Sequence, residues 1–241
     1  MKSFRLLAPV LLGAMVSVAG CSSSDNEEKA VLANMGAQQL YDRAKQSMEV
    51  GNFSAAAQTL SALDSRYPFG PLSHQVQLDL IYSYYKSGKN EETLATIDRF
   101  IRLNPNHSDV DYAYYMRGLT NMESDSNLFQ ELMNIDRTDR DPSKSRAAFE
   151  DFRRLIQQYP DSKYAADAKQ RMVHIKDRLA RYEIAIARFY MRRQAYVAAA
   201  NRGRYVIEHF SNTTQVQQAL EIMVSSYEQL GLDELRNNAM K

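Results

Sequence analysis

Apolar residues are arranged along this chain in two ways. At the start they form one run. After Met1-Lys2-Ser3-Phe4-Arg5 an apolar stretch extends from Leu6 to about Val18 and closes on Val18-Ala19-Gly20-Cys21. A run of about 13 residues fits a secretory signal and is short for a membrane span. Ser22 to Lys29 is polar and reads as a flexible tether. From about Gly36 onward the apolar positions take up helical spacing, which scarcely stops before the C-terminus.

The helical pattern itself repeats. Gly51-Asn52-Phe53 with Ala56, Leu60 and Tyr67-Pro68 is matched by Gly88-Lys89-Asn90 with Thr93, Ile97 and Asn104-Pro105. Gly51 to Gly88 and Pro68 to Pro105 each span 37 residues. The pattern returns at Gln194-Ala195-Tyr196 with Ala199, Val206 and Phe210-Ser211, and again at Gly231-Leu232-Asp233, 37 residues beyond Gln194. Each unit predicts a helix, a tight turn, a second helix and a stop. Glycine permits the turn conformation, small residues at Ala56, Ala148 and Ala199 let paired helices approach, and Pro68, Pro105 and Pro160 end the second helices. A helical pair cannot bury its apolar face alone, so such units stack into a solenoid.

Repeat three is interrupted. Gly118 fits the small position of its first helix, and its second helix is expected from Pro142, capped by Asp141, to Tyr159-Pro160. The intervening stretch is expected to form a surface loop. A further helix is expected at about Ser162 to Arg178, before repeat four. The expected organisation is a signal peptide 1–20, a tether 21–35, N-terminal repeats 36–123 with a substrate groove, an insertion 124–141 and partner-binding C-terminal repeats 142–241. The fold class is all-α, with about five repeats. It resembles the tetratricopeptide repeat, lengthened slightly from its usual ~34 residues.

Cys21 is the only cysteine in the 241 residues. Its position resembles a bacterial lipobox, which predicts cleavage before Cys21 and a covalent diacylglycerol and N-acyl chain, such as palmitate, on that residue. Ser22 in the next position resembles outer-membrane rather than inner-membrane lipoproteins, with the body facing the periplasm. Cleavage would remove Lys2 and Arg5 and take the net charge from +1 to about −1, which offers no bulk attraction for nucleic acid. With no cysteine pair, packing alone must stabilise the body.

Catalytic patterns are not found. His74, His107, His174 and His209 are scattered, with no zinc-binding His-Glu-x-x-His pair. There is no Gly-x-Ser-x-Gly elbow and no phosphate loop. Asp136, Asp139 and Asp141 lack the spacing, central glycine and terminal glutamate of a calcium loop. No enzyme activity, cofactor or metal is expected.

Longer phrases are more specific than the repeat. Arg66-Tyr67-Pro68-Phe69-Gly70-Pro71, Gln75 to Tyr82, Ile97 to Pro105, Tyr115 to Asn121, Asp136 to Pro142 and Lys176 to Ala180 together resemble the BamD family of lipoproteins. That resemblance covers essentially the whole chain and weakens after about residue 180. It implies a non-enzymatic role in folding and inserting outer-membrane β-barrel proteins. The implied partners are BamA, through its POTRA domains, and the lipoproteins BamC and BamE. The same anchor and repeats also fit an adaptor for other envelope or peptidoglycan machinery.

In such repeats the first helices line a concave face. Counting from Ala37, His74 and Asp111 places Tyr41 and Lys45, then Tyr82 and Tyr85, then Tyr112 and Tyr115 at inward positions, an aromatic groove with Lys45 and Lys86 at its edge. Tyrosine rings offer contact area with a polar tip, and lysine meets a carboxylate. This groove is expected to receive an unfolded barrel segment ending in an aromatic residue and a free carboxylate. The competing reading is that these tyrosines pack between helices, as Tyr84 is expected to do. Arg202 and Arg204 are expected on the surface toward the barrel subunit; the competing reading there is a solvated arginine.

Overall fold

The computed structural model describes residues 32–125 and 141–241. The expected signal peptide 1–20, Cys21, the expected tether as far as residue 31 and residues 126–140 of the expected insertion lie outside the described residues.

Among the described residues ten main helices follow one another: α1 Ala37–Glu49, α2 Phe53–Arg66, α3 Ser73–Lys86, α4 Asn90–Leu103, α5 Val110–Asp125, α6 Ser143–Gln158, α7 Ala165–Arg192, α8 Tyr196–His209, α9 Val216–Gln229 and α10 Asp233–Ala239. Each packs mainly on the next in chain order, while the first helices of neighbouring repeats also touch, α3 with α5 and α7 with α9. This is the contact pattern of stacked helical hairpins.

The hairpin turns fall where the 37-residue spacing places them. Gly51, Gly88 and Gly231 have φ of 77°, 71° and 67°, and Gln194 occupies the fourth turn at φ 59°. The left-handed region suits glycine; a residue with a Cβ accepts a cost of about 1–2 kcal/mol to adopt it. The exits from the second helices are also alike. Tyr67, Asn104, Tyr159 and Phe210 have φ between −133° and −129° and positive ψ. Proline follows the first three and disfavours helical geometry in the residue before it.

Ala56, Ala148 and Ala199 are fully buried where paired helices meet. The tightest approach is at Gly118, where an added Cβ would lie 2.5 Å from the Phe152 ring. Apolar residues gather in three successive clusters. Leu40, Leu60 and Leu63 centre the first, between α1, α2 and α3. Ile97, Phe100, Phe152 and Leu155 centre the second, from α3 to α7. Ile184, Ala199, Val206 and Ala219 centre the third, from α7 to α9.

Two helices belong to two clusters. Val76 and Leu80 of α3 enter the first, Leu78 and Ile81 the second. Ile175 and Leu179 of α7 enter the second, Ala180 and Ile184 the third. The expected helix of Ser162 to Arg178 is corrected on this point. It begins at Ala165 and does not stop at Arg178 but runs 28 residues to Arg192, becoming the first helix of repeat four. No glycine or proline interrupts residues 165–192, and both halves have a core to bury against.

Candidate functional site

The sequence-derived tyrosines come together along the first helices. Tyr41 of α1 donates to Asp79 of α3 at 2.9 Å, and Gln75 donates to the same carboxylate at 3.0 Å. The Lys45 ammonium is 3.9 Å from Asp79. Burial, then the bond to Asp79 and the nearby Asp79 and Asp42 charges, push the Tyr41 phenol up to about 12. Tyr112 on α5 is also raised, first by burial and then by Tyr164, Asp79 and Tyr82 beside it. Both phenols remain neutral, and Tyr41 keeps its proton as the donor to Asp79.

The row continues onto α7. Tyr115 stacks on Tyr164 with ring centroids 4.7 Å apart and donates to Asp167 at 2.6 Å. Arg171 donates to the same carboxylate at 2.5 Å. Burial alone would raise Asp167, but hydrogen bonds from Tyr115 and Arg171, with the arginine's charge, bring it below its ordinary value. Tyr85 is raised by burial and then by Glu123, opposed by Arg171.

Tyr82 is less enclosed, at 36% exposure. Its ring meets Phe53 edge-on with centroids 5.6 Å apart, and the Lys86 ammonium lies 5.6 Å from that Phe53 ring. Lys45 and Arg171 each face a carboxylate, whereas Lys86 has no acidic partner among the described residues. The arrangement offers a half-open aromatic corner with an available cation at the start of a longer, hydrogen-bonded tyrosine row. Tyr84 packs beside the first cluster under Lys89.

Sequence reasoning missed Phe53, Asp79, Tyr164, Asp167 and Arg171. The offset from Pro68 to His74 and from Pro105 to Asp111 is six residues. Applied to Pro160 it reaches Ala166 and makes Asp167 the second, inward position of a further first helix. Asp79 had a weaker signal, being four residues after Gln75 in the same apolar run.

The two C-terminal arginines have different surroundings. Arg202 donates to Glu183 at 2.8 Å, and Arg146 approaches the other oxygen of that carboxylate at 3.4 Å. Glu183 is only 2% exposed, so Arg202 helps neutralise a buried charge between α7 and α8. Arg204 points outward, donating to Asn201 at 2.8 Å and lying 3.9 Å from Glu208. Among the described residues no helix is long and apolar enough to cross a membrane, and no group of three or more His, Cys, Asp or Glu side chains could hold a metal ion.

Stacked helical hairpins with first helices lining one face define a tetratricopeptide-repeat solenoid. The chain belongs to the YfiO family, described as outer membrane lipoprotein, whose pattern matches residues 33–241. Outer membrane protein assembly factor BamD of Vibrio cholerae serotype O1 is 49% identical over 213 residues, covering 88% of this chain and 87% of the relative. BamD of Neisseria meningitidis serogroup A is 37% identical over 231 residues, covering 96% and 86%. The crystal structure of MamA covers 85% of this chain and 86% of its own at 16% identity and a TM-score of 0.42.

Proposed function

We propose that this chain is a non-enzymatic scaffold and substrate-recognition lipoprotein of the outer-membrane β-barrel assembly complex. Diacylglycerol and an N-acyl chain on Cys21 hold it to the outer membrane, and its repeats face the periplasm. Several acyl chains on one residue make such attachment effectively permanent, since each buried methylene contributes ~0.8 kcal/mol. The partners are the POTRA domains of BamA and the lipoproteins BamC and BamE. Assembly-factor relatives matching most of the chain support this reading.

The observation that carries substrate recognition is the corner formed by Phe53, Tyr82 and Lys86 at the start of the tyrosine row. A terminal aromatic ring can lie against Tyr82 and Phe53 while its carboxylate meets Lys86. Tyr112 and Tyr115 hold the neighbouring helices in register, Tyr82 presents surface, and Tyr85 packs partly buried beside it. Replacing both Tyr82 and Tyr85 with alanine should weaken binding of a barrel C-terminal peptide at least tenfold while leaving the helical circular dichroism in place. Unchanged affinity in the folded variant would remove the groove from the proposal.

The scaffold role is tested by purifying the native protein from its own envelope in mild detergent and identifying what accompanies it. A POTRA-bearing barrel protein is expected. Peptidoglycan enzymes or division proteins in its place would favour the adaptor reading on the same fold.

A further inference from the structure

α7 carries two different faces. At 100° per residue, Asp167 and Arg171 share the side that meets the tyrosine row, while Lys169, Met172, Val173 and Lys176 centre on roughly the opposite side. There they line a cleft of about 290 Å³ with Ile156 of α6 and Asn212 of the α8–α9 turn. The cleft is almost wholly apolar, and Val173 at its mouth is 56% exposed. Its size, below that of ordinary small-molecule sites, suits a single bulky side chain.

The charge around it is unbalanced. Lys169 and Lys176 have no acidic partner among the described residues, and the Lys176 ammonium lies 5.9 Å from the Phe149 ring. The nearby acids have their own cations or donors: Asp167 with Arg171, and Asp177 with Arg181 and Thr214. Residues 142–210 as a whole hold fifteen Lys and Arg against seven Asp and Glu, although the full chain is near neutral. A local field of one sign favours an oppositely charged partner.

We propose that this cleft docks an extended acidic segment of a partner protein, with one bulky apolar side chain inserted and a carboxylate on each lysine. Lys169 and Lys176 are two helical turns apart, about 10.5 Å along the axis. In an extended chain, residues i, i+2 and i+4 point the same way and span about 13 Å. An acid-x-apolar-x-acid segment therefore reaches both ammonium groups from either side of the cleft. The surface is separate from the tyrosine row, so the two can be occupied together.

The test uses the full lipidated protein in detergent and a fluorescent peptide with Glu-Ser-Phe-Ser-Glu at its centre, read by anisotropy. Saturable binding is expected. The Lys169→Glu, Lys176→Glu double variant should lose at least tenfold in affinity, and phenylalanine-to-serine exchange in the peptide should cause a similar loss. The double variant should keep its affinity for a barrel C-terminal peptide, and Tyr82→Ala with Tyr85→Ala should not affect the acidic peptide. Equal binding by wild type and the lysine-reversed protein overturns the proposal. So does failure of the wild type to bind the peptide while phosphatidylglycerol vesicles bind through the same lysines.

Discussion

Replacing Arg117 with methionine should destabilise the protein by about 3–5 kcal/mol, the usual consequence of removing one partner from a buried ion pair. Arg117 on α5 donates to Asp151 of α6 and to Asp98 of α4, each at 2.7 Å. The Asp98 side chain is 55% exposed and can rehydrate; that of Asp151 is 8% exposed and cannot. In the variant Asp151 keeps only the bond from Asn121, at 2.9 Å, while its charge stays buried. Burial already raises Asp151 above the ordinary carboxylate range, despite Arg117 and the hydrogen bonds from Asn121 and Arg117. A carboxyl raised in the folded state binds its proton more tightly there than when unfolded. Its contribution to stability therefore falls as pH rises from the unfolded to the folded value. Removing Arg117 widens that interval, so the variant's deficit should be largest at neutral pH and shrink on acidification. Urea unfolding across pH reads this directly. The Arg117 guanidinium also lies 5.2 Å from the Tyr114 ring, and a deficit independent of pH would place the cost in the loss of that contact rather than in the Asp151 charge. Adding Asp151→Asn should recover much of the loss at neutral pH.

Valine at position 118 should cost toward the upper end of about 1–3 kcal/mol, the range for overpacked cores. An added Cβ would stand 2.5–2.7 Å from three atoms of the Phe152 ring, and that ring is fully buried. The branched side chain has little rotamer freedom with which to move aside. Glycine is ordinarily a poor helix residue, so without the clash most substitutions here would stabilise α5 by up to ~1 kcal/mol. Thermal unfolding decides the sign. Phe152→Leu in the same chain should relieve part of the loss; no relief would mean the clash is with something other than the ring.

The two residues differ in how far the sequence exposes them. Gly118 is legible because the repeat calls for a small residue at that step of the first helix. The turns at Gly51, Gly88, Gln194 and Gly231 are legible for the same reason, and spacing identifies Gln194 although its type does not. The Arg117–Asp151 pair is not legible. Its residues are 34 apart, and an acid on an amphipathic helix ordinarily reads as solvated. Asp79 and Asp167 escape notice similarly: each is half of a hydrogen bond whose donor lies on another helix. The continuity of α7 was missed because the repeat length suggested a boundary where the local sequence has no helix breaker. Of the groove residues, Tyr41, Tyr112 and Tyr115 are placed as spacing indicates but are engaged with carboxylates or neighbouring rings. Tyr82 and Lys86 keep the freer surface.

The unbroken course of α7 has a mechanical consequence. A helix of 28 residues is a rod about 42 Å long, and one end is embedded in the second apolar cluster and the other in the third. Because no turn divides it, a displacement of the C-terminal repeats has no loop within residues 165–192 at which to be taken up. Where the other repeats turn from one helix to the next, α7 passes without a break from the tyrosine row to the last repeats.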